Sequence, residues 1–373
     1  MNNLVKSTIF GALLAGSIFN ISGSDLRPCY AQECQADVSV SGLAVEHETK
    51  FGGAYLKMTM EDFYKAGFAY GDSVNVTFSN GKTIEDIPFY NGYYTNVGGL
   101  LIVGYPGYPY IKIAKNYGSD VFEEFELTNN DTATITLNQA KKYLTNQETF
   151  SLSYSKNRND YESDVAFANF RAMKGGSMKE NVFYRSASPC CNDYNRAPYV
   201  DRFAQKNLIS FVLDLSDNAE DVAEFKKAGN FRTPYFDALN SHDRVAFLDM
   251  NANYQSDSFK HSLARGLKEL SAHKGPYLAH CIEGKDRTGF VGILLEDLCG
   301  ASVDEMKADY MITYKNYYGI TAENNPDRYN AILNLHFNSM YSYIQSLGGA
   351  KEYLKSCGMT DEEIVKLMYR LID

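Results

Sequence analysis

The run His280-Cys-Ile-Glu-Gly-Lys-Asp-Arg-Thr288 constrains this chain more than any other stretch. A short strand-length segment, 276–279, precedes it and an apolar helical pattern, 288–298, follows it. The sequence therefore predicts a strand, a tight loop and a helix meeting at one point. A loop wound onto a helix N-terminus points backbone N–H groups inward, and the helix dipole adds positive potential, so the combination makes an anion cradle. Gly284 lets the backbone come close. The same field favours a thiolate at Cys281, which predicts a nucleophile. Arg287 can grip two oxygens of a bound oxyanion with its planar fork, which a lysine cannot do. Thr288 is placed to donate its hydroxyl to the sulfur. His280 is expected to orient the loop through ring hydrogen bonds.

Around this loop, strands alternate with helices. Residues 208–215 form a continuous apolar run, as in a strand covered on both faces. Phe259, Leu263, Leu267 and Leu270 recur at helical spacing, and Ser302/Glu305 and Thr360/Glu363 have capping-box spacing. Another helix is predicted from Pro326 to about Leu347, stopped by Gly348-Gly349. Upstream, 73–78, 100–103, 110–114 and 132–137 read as strands, with Asn80-Gly81 as a hairpin turn. The expected organisation is a β-rich domain over 37–153, a polar linker over 154–164 and an α/β domain over 165–373. Residues 1–36 read as an export signal: Lys6 is followed by a short apolar run, 9–21, and small-residue exits near 31 and 36. That run is too short and interrupted to span a membrane, so an exported protein without a stable membrane anchor is expected.

A net charge of −10 argues against nucleic acid as a partner, so any anion site is local. Seven cysteines contain no C-x-x-C pair and six histidines no H-x-H or H-E-x-x-H spacing, so neither a metal nor another cofactor is expected. In an oxidising compartment Cys190 and Cys191 are the candidate partners for Cys281.

The pattern H-C-x-x-G-K-D-R-T-G resembles the signature loop of the bacterial tyrosine and phosphoinositide phosphatase family, within the protein-tyrosine-phosphatase superfamily. Asn169-Phe-Arg171, Phe183-Tyr-Arg-Ser186 and Leu213-Asp-Leu215 resemble the family's N-F-R-D, L-Y-R-S and I-D-L-R blocks in the same order. Ala172 and Ser216 stand where that family usually carries Asp and Arg, which puts the roles of those two side chains in doubt. The resemblance implies an α/β fold, with a central phosphatase-like sheet flanked by helices. It also implies a metal-free, two-step hydrolysis through a thiophosphate on Cys281.

A general acid is needed, and both Asp286 in the loop and Asp243 upstream of it are candidates. The expected substrate-binding set is His280, Ile282, Glu283, Gly284, Lys285, Arg185 and Arg171. Lys285 is a second rim cation, and the two arginines anchor the loop or a carboxylate. The substrate would be a phosphotyrosine protein, a phosphoinositide or an inositol phosphate. A catalytically silent phosphate-binding module and a thiol oxidoreductase are the competing readings. Gly71-Asp-Ser-Val-Asn-Val76, Pro88-Phe-Tyr90 and Ile113-Ala-Lys-Asn-Tyr-Gly118 are similar to the C-terminal β-barrel of S-adenosylmethionine hydroxide adenosyltransferases. That resemblance implies a barrel-like shape for the first half and no activity there.

Overall fold

The computed structural model describes residues 38–229 and 231–372. The expected export signal, 1–36, lies outside the described residues. In the first half, β1 (Ser39–His47), β2 (Ala54–Leu56), β3 (Ser73–Phe78), β4 (Thr83–Tyr90), β5 (Leu100–Val103), β6 (Ile111–Lys115) and β7 (Thr132–Gln139) form a closed barrel. Their order is β1-β2-β6-β5-β4-β3-β7, and β7 pairs back onto β1. The period of two drives this closure. Val74, Val76 and Phe78 of β3 are buried while Thr77 faces solvent, so one face of each strand supplies the interior. Closing the sheet leaves no open edge. Gly81, at φ +86°, makes the β3–β4 turn, where the Phe78 N–H donates to the Lys82 carbonyl. One charged pair lies inside this half: Lys112 Nζ is 2.9 Å from Glu48 Oε2, beside the rings of Tyr93 and Tyr108.

The second half is built on β8 (Arg171–Ala172), β9 (Phe183–Ser186), β10 (Phe211–Asp214), β11 (Val245–Phe247) and β12 (Tyr277–His280), in the order β11-β10-β12-β9-β8. Four strands are parallel, and β8 runs antiparallel to β9. Every residue of β10 is buried because helices cover both faces. Leu213 joins the core that contains Phe259, Leu263, Leu267 and Leu270 of helix Asp257–Ala272. Val212 joins Val200 and Ala204 of helix Ala197–Lys206 on the other face. Each such fully buried side chain contributes about 1.5–3 kcal/mol. The register sets Phe247, Asp214, His280 and Ser186 side by side at the carboxyl ends of the parallel strands. Open α/β sheets bind ligands at that edge.

Two expectations are corrected. The stretch 154–164 is packed rather than a free linker: Tyr154 stacks on Tyr317 at 4.9 Å, and Tyr161 is buried against Phe167. Its composition is polar, but its tyrosines bring large apolar rings with a polar tip, which pack well. The helix expected over 326–347 is interrupted. Helix Pro326–Ile332 passes through a π-helical turn, Leu333–Phe337, into helix Asn338–Ser346.

Candidate active site

Cys281 follows directly on β12, and helix Asp286–Leu298 begins five residues later. The loop between them is shaped by its carbonyls, which are drawn outward by four separate parts of the chain. The Ile282 carbonyl accepts from the Ser188 N–H at 3.1 Å. That of Glu283 accepts from Tyr317 Oη at 2.6 Å and Asn169 Nδ2 at 3.2 Å. The Gly284 carbonyl accepts from Arg185 Nη2 at 3.0 Å. These three carbonyls are bonded to the surrounding chain, and among the described residues the N–H groups of 282–287 donate to no protein acceptor. Gly284 makes this possible. It sits at φ +69°, and a Cβ there would stand 2.2 Å from the Ser186 carbonyl oxygen.

Side chains complete the cradle. Arg287 Nη1 donates to the Met250 carbonyl at 2.8 Å, which fixes its guanidinium against the segment that leaves β11. Cys281 is a free, buried thiol, and Thr288 on the first helical turn is buried with no hydrogen-bond partner for its hydroxyl among the described residues. Lys285 lies 2.9 Å from Glu283 and 3.9 Å from Asp286. Burial works against its charge, but Asp286 and Glu283 hold its pKa well above the ordinary lysine value. Lys285 is thus a compensated cation rather than a free one. Glu283 also accepts from Tyr154 Oη at 2.5 Å.

Of the expected substrate-binding set, Arg185 and Arg171 lie behind the loop, in the anchoring role the sequence suggests. Arg185 Nη1 is 2.6 Å and Arg171 Nε 2.8 Å from the Asp309 carboxylate. Burial alone would raise the Asp309 pKa, yet the two guanidiniums hold it below the ordinary carboxylate range. Both arginines are committed to this buried carboxylate, so they position the loop. Asp309 escaped the sequence reading. Its signal was a charged residue within the buried series Met306, Tyr310 and Tyr314 of helix Val303–Tyr318.

His280 differs from expectation. Among the described residues neither ring nitrogen has a well-formed hydrogen-bond partner, and Nε2 lies 3.6 Å from Asp214. Burial pushes its pKa down to about 4, so a neutral imidazole packs near Phe236 at 6.2 Å. No metal motif was expected, but the fold brings Cys190, Asp214 and His280 together with ligand atoms within 4.8 Å of one another. The Cys190 sulfur lies 3.5 Å from both Asp214 and Asp217, and all five described cysteines are free thiols. Ser216 bonds the same two carboxylates.

The two acid candidates separate. Asp286 opens the helix, is exposed, and lines a cavity beside the loop together with Lys285 and Arg287. Asp243 is at the other edge of the sheet. It precedes β11, whose last residue, Phe247, is level with His280, so Asp243 lies about 13 Å back along the strand. Its neighbour Arg244 pairs with His273, ahead of β12. Distance along the sequence resembled that of a mobile acid, but strand direction places the residue away from the loop. The acidic residue that leaves β11 on the loop side is Asp249, exposed and next to Met250. It was not singled out in the sequence.

Residues 166–373 match the model of a family described as the tyrosine phosphatase family. A tyrosine-protein phosphatase of Nostoc commune is 31% identical over 117 residues, which cover 26% of this chain. The match spans 39% of that curated relative's length. Among solved structures, the core catalytic domain of the PP-IP phosphatase SIW14 from S. cerevisiae, in complex with citrate, is 16% identical. It covers 49% of this chain and 98% of that one at a TM-score of 0.26. An uncharacterized conserved protein from Thermotoga maritima is 21% identical, with coverages of 26% and 35% and a TM-score of 0.23. Both structural likenesses are slight. The family match covers more than half of the chain and contains the Cys281 loop, so the chain belongs to the tyrosine phosphatase family, the cysteine-dependent phosphatases.

Proposed function

We propose that the protein hydrolyses phosphate monoesters through a covalent thiophosphate on Cys281. The set of N–H groups at 282–287 left without a protein acceptor among the described residues, with Arg287 beside them, is the observation that carries this reading, because the three non-bridging oxygens of a phosphoryl group can accept from them. Cys281 Sγ attacks phosphorus in line, the ester P–O bond breaks, and Asp286 protonates the departing oxygen. Water then attacks phosphorus, gives its proton to the Asp286 carboxylate, and the P–S bond breaks. Thr288 donates to the sulfur as it leaves, and inorganic phosphate is released. Arg185, Arg171 and Asp309 hold the cradle in shape. Export through a signal in residues 1–36 belongs to the same reading.

Hydrolysis of an aryl phosphate, inhibited by vanadate, is the expected activity. Cys281→Ser should lower turnover by about 10³-fold or more. Asp286→Asn should lower it about 10²-fold, with a smaller loss for an ester whose leaving group needs no proton. If Asp249→Asn shows that signature instead, the acid role moves to the loop after β11. Undiminished hydrolysis by Cys281→Ser defeats the proposal.

A further inference from the structure

The cavity beside the Cys281 loop has a volume of about 350 Å³, and the catalytic half does not enclose it unaided. Lys285, Asp286 and Arg287 form its floor, and Tyr314 and His336 line the catalytic side. The facing wall comes from the barrel: Tyr94 and Asn96 from the segment between β4 and β5, and Tyr117 from the turn after β6.

We infer that the barrel is part of the substrate pocket, with Tyr94, Asn96 and Tyr117 forming the wall against which an aromatic leaving group of the phosphate ester rests. This rests on the proposal that the Cys281 loop hydrolyses such esters.

The wall is fixed in place rather than draped. Tyr94 stacks on Phe150 with ring centroids 4.6 Å apart and planes 2° from parallel, and Phe150 meets the ring of His336 at 4.6 Å. Ser339 Oγ donates to Asn96 Oδ1 at 2.6 Å across the same junction. Both His336 and Ser339 are presented by the π-helical turn and the helix after it, and such turns recur at functional sites. Tyr117 is 53% exposed and sits at φ +48°, a left-handed conformation that costs an aromatic residue energy and clusters at ligand sites.

The chemistry of the lining selects the ligand. Tyr94, Tyr117, Phe150, Tyr314 and His336 offer ring faces and edges. The barrel contributes no lysine or arginine, and of the two cations present Lys285 is compensated by Glu283 and Asp286. His336 is held neutral, its pKa pushed down to about 4 by burial. A planar aromatic group gains from such a lining, whereas a second or third phosphate would find no counter-charge.

Full-length wild type, Tyr117→Ala, Tyr94→Ala and Tyr117→Phe, assayed with phosphotyrosine and with phosphoserine, test this. Tyr117→Ala and Tyr94→Ala should raise KM for phosphotyrosine about three- to tenfold, the scale of one lost aromatic contact, and Tyr117→Phe should restore it. The constant for inhibition by inorganic phosphate, which reads the anion loop alone, should stay at its wild-type value. Phosphotyrosine KM within twofold of wild type in both alanine variants overturns the inference, and so does an equal rise for phosphoserine, which would mark a general structural effect. Wild type that hydrolyses neither ester fails at the earlier step and removes the phosphatase reading itself.

Discussion

Each half of the molecule buries an ion pair, and only one of the two is bonded to the Cys281 loop. In the barrel, Lys112 and Glu48 face each other at 2.9 Å, and Glu48 also accepts from the N–H groups of Lys50 and Phe51. All of these partners belong to the barrel. In the catalytic half, Arg185 and Asp309 meet at 2.6 Å, but Arg185 continues to the Gly284 carbonyl, and Asp309 also holds Arg171, which bonds Asn169. Desolvation cancels much of what a buried pair gains, so neither pair is mainly a source of stability. The difference lies in what is attached to the far end. One pair fills a local need, whereas the other transmits its geometry to the Cys281 loop.

The comparison breaks most visibly at Asp309. Asp309→Ala leaves two buried guanidiniums without their carboxylate and should destabilise the protein by about 3–5 kcal/mol in urea unfolding. A loop displaced by about 1 Å should also cost about 10²-fold in kcat/KM. Full turnover by folded Asp309→Ala would separate the pair from the loop. Lys112→Met should lose a similar stability, about 3–5 kcal/mol, with kcat/KM of the folded protein within about twofold of wild type. Adding Glu48→Leu should recover most of that stability, since an apolar pair avoids the stranded charge. A large kinetic defect in Lys112→Met would mean the barrel pair also reaches the site.

The smallest effect concerns pH. Burial pushes Asp214 up to about 6, and burial followed by the Asp214 charge does the same to Asp217. Between pH 4 and 6 the folded chain holds protons that the unfolded chain, with ordinary carboxylates near 3.8, has released, so stability falls as pH rises through that window. His280, pushed down to about 4, acts in the opposite sense up to about 6.5. Two carboxylates against one imidazole leave a net fall. Asp217→Asn should therefore gain on wild type by up to about 2 kcal/mol between pH 4 and pH 7 in urea unfolding. A difference constant across that range excludes Asp217 as a source.

What was legible in the sequence was whatever acts over a few neighbours. Alternation in β3 and short apolar, β-branched runs in β5, β6 and β7 located those strands to within about two residues, and the spacing from His280 to Thr288 marked the loop. What depends on direction or on distant segments was not. Asp243 was placed by counting residues, and the count does not say which edge of a parallel sheet a strand enters from. Arg185 and Arg171 were legible as anchors of the loop or of a carboxylate, but Asp309, the carboxylate they hold from more than a hundred positions away, carries no motif. Polar composition hid the packing of Tyr154 and Tyr161, and no local pattern announced that Tyr94 and Tyr117 line a cavity together with residues of the catalytic half.

The outward carbonyls of the loop also have a consequence in time. They are held by Asn169, Arg185, Ser188 and Tyr317, so the cradle is closed by contacts made both upstream and downstream of it. A nascent chain that has emerged only to residue 300 carries the whole signature and none of the Asp309 or Tyr317 bracing. Such long-range closure forms late in folding. On this geometry, the onset of phosphate binding in a refolding experiment should report the docking of helix Val303–Tyr318 rather than the formation of the loop's own strand and helix.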